Sequence, residues 1–181
     1  MKKIRNTHRT YEIALTGIML TLSMLVLFFA SFTPGIELSL LALSGLLIMI
    51  VIHETSLKMG VLFFIASLIL SFIIIPNKAI LILYFFIFGP YTLIKSVIEK
   101  HIDNKFGRYI LKLVTFNALL ILGYVIFRQA LFSGVVLPDQ AWYILLIGAQ
   151  VMLLLYDGIL TLAVGFYNRK IPDRVKGKKY R

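Results

Sequence analysis

An arginine and an aspartate lie inside long apolar stretches of this chain, Arg128 within 111–132 and Asp157 within 141–167. A charged side chain at mid-bilayer depth costs on the order of 2.5–3.5 kcal/mol on insertion scales, so each needs polar partners or a wet cavity. If both stretches are helical, Asn117, Tyr124 and Arg128 stand at i, i+7 and i+11, one face of a helix. Tyr143, Gln150, Asp157 and Thr161 stand at i, i+7, i+14 and i+18, again one face. Two polar stripes on neighbouring antiparallel helices are expected to meet. Arg128 sits near the outer end of its span and Asp157 near mid-span, roughly 9 Å apart in depth at 1.5 Å per residue, which brings Gln150 nearer to Arg128 in level. Two chemistries fit. In one, a polar cavity opens outward, Arg128 meets an anionic group, and Asn117, Tyr124, Gln150 and Asp157 hydrogen-bond a small solute. In the other, Arg128 reaches the outer headgroups while Gln150 and Asp157 tie helices together.

Catalytic templates fail in this sequence. His53 and Glu54 begin like the zinc-protease helix motif, but Leu57 stands where the second histidine belongs. His8 and His101 lie in basic segments without metal-ligand spacing, and the sequence contains no cysteine, so neither a metal site nor a cofactor is expected. There is no G-x-S-x-G, P-loop or G-x-G-x-x-G, and Asp157 and Gly158 have no companion carboxylates, so the chain is not expected to be an enzyme. Glu37 opens the second span beside Pro34 and Gly35, where it either rims the same cavity or, as a carboxylate near a helix N-terminus, needs no further role. Gly89 and Pro90 are expected to kink or end the fourth helix, with Tyr84, Phe88 and Tyr91 as an aromatic face that either packs or stacks on a ring-shaped ligand. In the first span Ala14, Gly17 and Thr21 align as a small-residue ridge that lets another helix, from this chain or a partner, approach closely.

The elements that must position these residues follow from composition. Of 181 residues, 60% are hydrophobic and 15% charged, with mean hydropathy +0.92. A soluble domain this size would carry roughly 25% charged residues. The apolar residues also come in runs: no Asp, Glu, Lys, Arg or His lies between Glu12 and Glu37 or between Lys78 and Lys95. Ordinary globular and disordered chains are thereby excluded. A helix crosses the ~30 Å hydrocarbon layer with about 20 apolar residues. Six such spans are expected, near 13–33, 36–52, 57–75, 79–94, 111–132 and 141–167. The expected fold class is all-α, a polytopic membrane protein with one six-helix domain over 1–168 and a basic tail over 169–181. The apolar run 13–32 exceeds the ~7–15-residue core of a secretion signal and no A-x-A site follows, so it is expected to remain as a span.

Orientation follows from the cations, because cytoplasmic loops retain Lys and Arg. With six spans and the N-terminus inside, the inner face holds Lys2, Lys3, Arg5, Arg9, Lys58, Lys95, Lys100, Lys105, Arg108, Lys112 and the seven basic residues of 169–181, which is 17 of 19. Only Lys78 and Arg128 fall elsewhere, so both termini are expected to be cytoplasmic and the location a cell membrane. Trp142 and Tyr143 stand where the sixth span enters from outside, as interfacial aromatics do. Segment 95–110 places Ile94, Val97, Ile98, Ile102, Phe106 and Tyr109 at helical spacing, which predicts an amphipathic helix along the cytoplasmic face, against lipid or a docked partner. The tail is expected to be attracted to anionic lipid rather than to nucleic acid.

In size, six spans, both ends inside, a Pro-Gly turn after the first helix, no nucleotide motif, and polar residues in the outer halves of the last helices, the chain resembles the substrate-binding S components of energy-coupling factor transporters. The resemblance covers most of the chain and implies a small vitamin-like or metal substrate captured from outside. It also implies a transmembrane coupling subunit and two ATPases as partners. S components meet the coupling subunit through a first-helix ridge, often Ala-x-x-x-Ala, to which Gly17 and Thr21 are the nearest match here. The competing expectation is a non-transporting scaffold or assembly protein of the cell envelope, in which the polar residues join helices.

Overall fold

The computed structural model describes residues 2–132 and 141–170, with side chains over 10–123, 125–126 and 147–166. The elements in chain order are α1 (Lys2–Ala30), α2 (Glu37–Glu54), α3 (Leu57–Ile74), α4 (Lys78–Leu83), a π-helical turn (Tyr84–Phe88), α5 (Gly89–His101), α6 (Lys105–Phe132) and α7 (Ala141–Lys170). No strand occurs among the described residues. Among the described residues six helices are long and apolar enough to cross a membrane, because α4, the π-turn and α5 run on as one helix over Lys78–His101. The sequence expectation of six helical spans agrees with this to within a few residues at most ends. Three ends differ by more: the first helix starts at Lys2 rather than 13, the fourth runs to His101 rather than 94, and the fifth starts at Lys105 rather than 111.

Local chemistry accounts for the breaks. Gly35 takes a positive φ of +97° that an L side chain rarely adopts, and this turns the chain between α1 and α2. The Gly35 N–H lies 3.4 Å from a carboxylate oxygen of Glu37, so that carboxylate steadies the turn at the start of α2. Ser56 caps α3 by accepting from the Met59 N–H at 3.3 Å, and Asn77 caps α4 by accepting from the Ala79 N–H at 3.1 Å. Lys78, one of the two cations outside the expected basic face, donates to the carbonyls of Phe72 at 2.8 Å and Ile75 at 3.0 Å. Its ammonium also stands 5.0 Å from the Phe72 ring centroid. It thus satisfies the orphan carbonyls that end α3, at the negative end of the helix dipole.

The chain forms two compact units, residues 1–137 and 138–181, each described by itself. In the first, α1 packs on α2 and α3, α2 on α3 and α5, and α5 on α6. Leu27, Leu41, Ile48, Val51, Phe63, Tyr84, Phe88 and Tyr91 form its buried centre. Around it the outer faces are apolar: Ile73 is 75% exposed, Val125 69% and Phe72 68%. Contiguous apolar surface of this kind is not tolerated in water by a monomer and matches a hydrocarbon surrounding. Several hydroxyls on the helices back-bond within their own helix, as in Thr16 to Glu12 O at 2.7 Å and Thr92 to Phe88 O at 2.8 Å. The second unit is α7 with its flanking residues; Leu153, Tyr156 and Leu160 mark one buried stripe on it.

Gly89 and Pro90 do not end the fourth helix. The helix widens ahead of them into the π-turn, and the Gly89 N–H donates to Tyr84 O, five residues back. Pro90 has no N–H to give, so the wider turn absorbs the proline where a kink or an end of the helix was expected.

Candidate functional site

Asn117 lies on α6, half-buried, and its side-chain N–H donates to Leu113 O at 2.8 Å. Tyr124 and Arg128 belong to the same helix, but their side chains lie outside the described residues, as do those of Trp142 and Tyr143 and the tail over 171–181. Gln150 and Asp157 are half-buried on α7, and the Thr161 hydroxyl donates to Asp157 O at 2.8 Å. Helical phasing therefore holds within each stripe: Asn117, Tyr124 and Arg128 share a face of α6, and Gln150, Asp157 and Thr161 a face of α7. The stripes belong to different compact units.

Ala14, Gly17 and Thr21 are all exposed on α1. A Cβ built on Gly17 would meet nothing within 4 Å, and the Thr21 hydroxyl is turned back onto Gly17 O at 3.0 Å. The ridge is smooth and open. Tyr84, Phe88 and Tyr91 are buried instead, at 0%, 1% and 1% exposure, and Tyr91 packs edge-on against Phe116 of α6 with centroids 5.8 Å apart.

A charged cluster that sequence reasoning did not assemble stands where α5 meets α6. Lys95, wholly buried, places its ammonium 3.1 Å from a carboxylate oxygen of Glu99, one turn further along α5. The same oxygen accepts from Lys112 of α6 at 2.6 Å. What brings Lys112 there is an elbow at 102–104. The Arg108 guanidinium donates to Ile102 O at 2.7 Å and Asp103 O at 3.3 Å, and Asn104 Oδ1 takes the Phe106 N–H at 3.1 Å. These bonds close α5 and open α6, so 95–110 is not one amphipathic helix: it is divided between two. The i, i+4 spacing of Lys95 and Glu99 was a visible signal; the position of Lys112 needs the elbow. Chemically, one carboxylate shared by two lysine side chains pins α5 to α6.

A second polar set lies between α1, α3 and the π-turn. Tyr84 OH and Ser67 Oγ are 2.8 Å apart, and since Ser67 already donates to Phe64 O at 2.7 Å, the phenol supplies the shared hydrogen. Ser71 donates to Ser67 O. Ser23 stands beside the same phenol, yet its Oγ is the one fully buried side-chain polar atom without a hydrogen-bond partner among the described residues. Ser67→Ala and Tyr84→Phe should each cost about 0.6–1.7 kcal/mol, the range of hydrogen bonds between membrane helices. The double variant should cost less than the two added together, read as a double-mutant cycle of thermal unfolding in detergent.

Among the described residues no group of three or more His, Asp or Glu stands close enough to hold a metal ion. No protein-family model, curated protein or solved structure matches this chain.

Proposed function

We propose that this chain is a multi-pass membrane protein with six spans and both termini cytoplasmic, acting as the solute-binding subunit of an uptake system without an ATPase of its own. The observation that carries the reading is Asp157, half-buried at the middle of the apolar stretch Ile147–Phe166. An ionisable group at that depth is expensive and by default functional. Gln150, on the same face of α7, supplies a further donor and acceptor for a small polar solute such as a vitamin. The open ridge at Ala14, Gly17 and Thr21 supports the second half of the reading, since a subunit with no nucleotide motif must couple to partners through a helix face.

The test is thermal-shift screening of the detergent-purified chain against vitamins and metal ions. At least one solute should raise the melting temperature, and Arg128→Ala and Asp157→Asn should abolish that shift while membrane abundance stays at the wild-type level. If no solute shifts the wild-type protein, or both variants are lost from the membrane, the solute reading fails. A non-transporting envelope scaffold is the second reading, favoured by the bond between Tyr84 and Ser67, in which buried polar groups serve only to join helices. Copurification of an ATP-hydrolysing complex would decide for the first reading.

A further inference from the structure

We propose that the elbow between α5 and α6 binds one anionic phospholipid of the cytoplasmic leaflet, an inference that rests on the membrane reading above but not on the solute. Over 100–109 the chain presents Lys100, Lys105 and Arg108 against a single carboxylate, Asp103. These cations have different tasks. Arg108 is committed to Ile102 O and Asp103 O and holds the elbow's shape. At the first turn of α6, Asn104 takes the Phe106 N–H with its side chain and the Arg108 N–H with its carbonyl. Lys100 and Lys105 are exposed and enter no ion pair among the described residues. Beside them Phe106 is 73% exposed and Tyr109 60% exposed. From this aromatic pair an exposed apolar face continues along α6 through Ile110, Leu113 and Val114.

The arrangement has the two ends of a lipid: ammoniums at headgroup level for a phosphate, aromatics at the interface, and an unbroken apolar surface for an acyl chain. Charge complementarity selects a headgroup with net negative charge over a zwitterionic one, because each lysine near the surface adds its own attraction and the choline of a zwitterion opposes it. A folded protein partner would not need the apolar continuation into the span.

The test uses the full chain purified in detergent, titrated with phosphatidylglycerol or phosphatidylcholine and read by native mass spectrometry. Wild-type protein should bind its first phosphatidylglycerol about tenfold more tightly than phosphatidylcholine. Lys100→Gln with Lys105→Gln should remove that preference, and Lys100→Arg with Lys105→Arg should keep it. Lys176→Gln, Lys178→Gln and Lys179→Gln together, in the basic tail, should also keep it. Inorganic phosphate in excess should not compete, which separates a lipid headgroup from a free anion. Retention of the preference by the Lys100 and Lys105 glutamine variant, its loss in the tail variant, or displacement by phosphate would each overturn the proposal. Flotation with vesicles after an alkaline wash reports the membrane reading separately: a chain that is washed off defeats both, whereas one that floats without lipid preference defeats only this inference.

Discussion

Glu99→Gln is expected to destabilise the first unit by about 1.5–3 kcal/mol, the worth of hydrogen bonds to a charged group and less than a fully buried pair, because the Glu99 side chain is 26% exposed. Its carboxylate faces Lys95, which has no exposed surface, and Lys112, whose side chain is 9% exposed. Glutamine preserves the shape and a carbonyl acceptor but leaves two ammoniums facing each other across a neutral amide. Thermal unfolding in mild detergent should show the loss, together with a fall in full-length protein in the membrane fraction. The informative comparison is with Lys95→Met. A methionine fills much of the lysine's volume, so Lys95→Met combined with Glu99→Gln should recover part of the stability lost by Glu99→Gln alone. If the combined variant is as unstable as the two losses added, the damage lies in packing and not in uncompensated charge.

The apolar runs made the spans legible because a hydrocarbon surrounding demands them. The expected 57–75 and the observed Leu57–Ile74 differ by one residue, with Ser56 as the N-cap and Ile75 as the C-cap. Phase along a helix was legible too: a separation of seven or eleven residues assigns Asn117 and Arg128 to one side of α6 whatever surrounds it. What a face turns toward is not contained in periodicity. Segment 95–110 shows this well. Its apolar residues keep helical spacing throughout, so the pattern alone reads as one helix. The break at 102–104 comes from bonds of Arg108 and Asn104 to backbone groups, which leave no trace in an apolar pattern. Once the break is made, Lys112 returns to Glu99 across 13 residues. The same holds for Lys78, an exception when cations were counted by side and a helix cap when its carbonyl partners are known.

Gly89→Ala should be among the most damaging single-methyl changes in the chain, and Gly17→Ala among the mildest. A Cβ on Gly89 would fall within the Phe64 ring, with Phe64 Cζ only 2.9 Å away. That ring has little room to yield: it is 8% exposed, stacks on Phe85 with centroids 6.4 Å apart and leans on Tyr84 at 5.9 Å. Overpacking of this kind costs about 1–3 kcal/mol and occasionally more, and here it also presses on the π-turn that accommodates Pro90. Gly89→Ala should therefore lower the melting temperature sharply, and Phe64→Leu introduced with it should restore part of the loss, since a smaller side chain vacates the site. At Gly17 a Cβ meets nothing within 4 Å, so alanine should leave the melting temperature unchanged or raise it slightly through better helix propensity, by at most about 1 kcal/mol. The two glycines thus separate two uses of the same residue. One admits a neighbour already present in this chain, and removing it harms folding. The other keeps a ridge open, and a bulky replacement such as Gly17→Leu should spare the isolated chain while weakening any complex in which a partner helix lies along α1. Such a loss of copurifying partner at normal stability would support the subunit reading; an unchanged complex would remove the ridge from it.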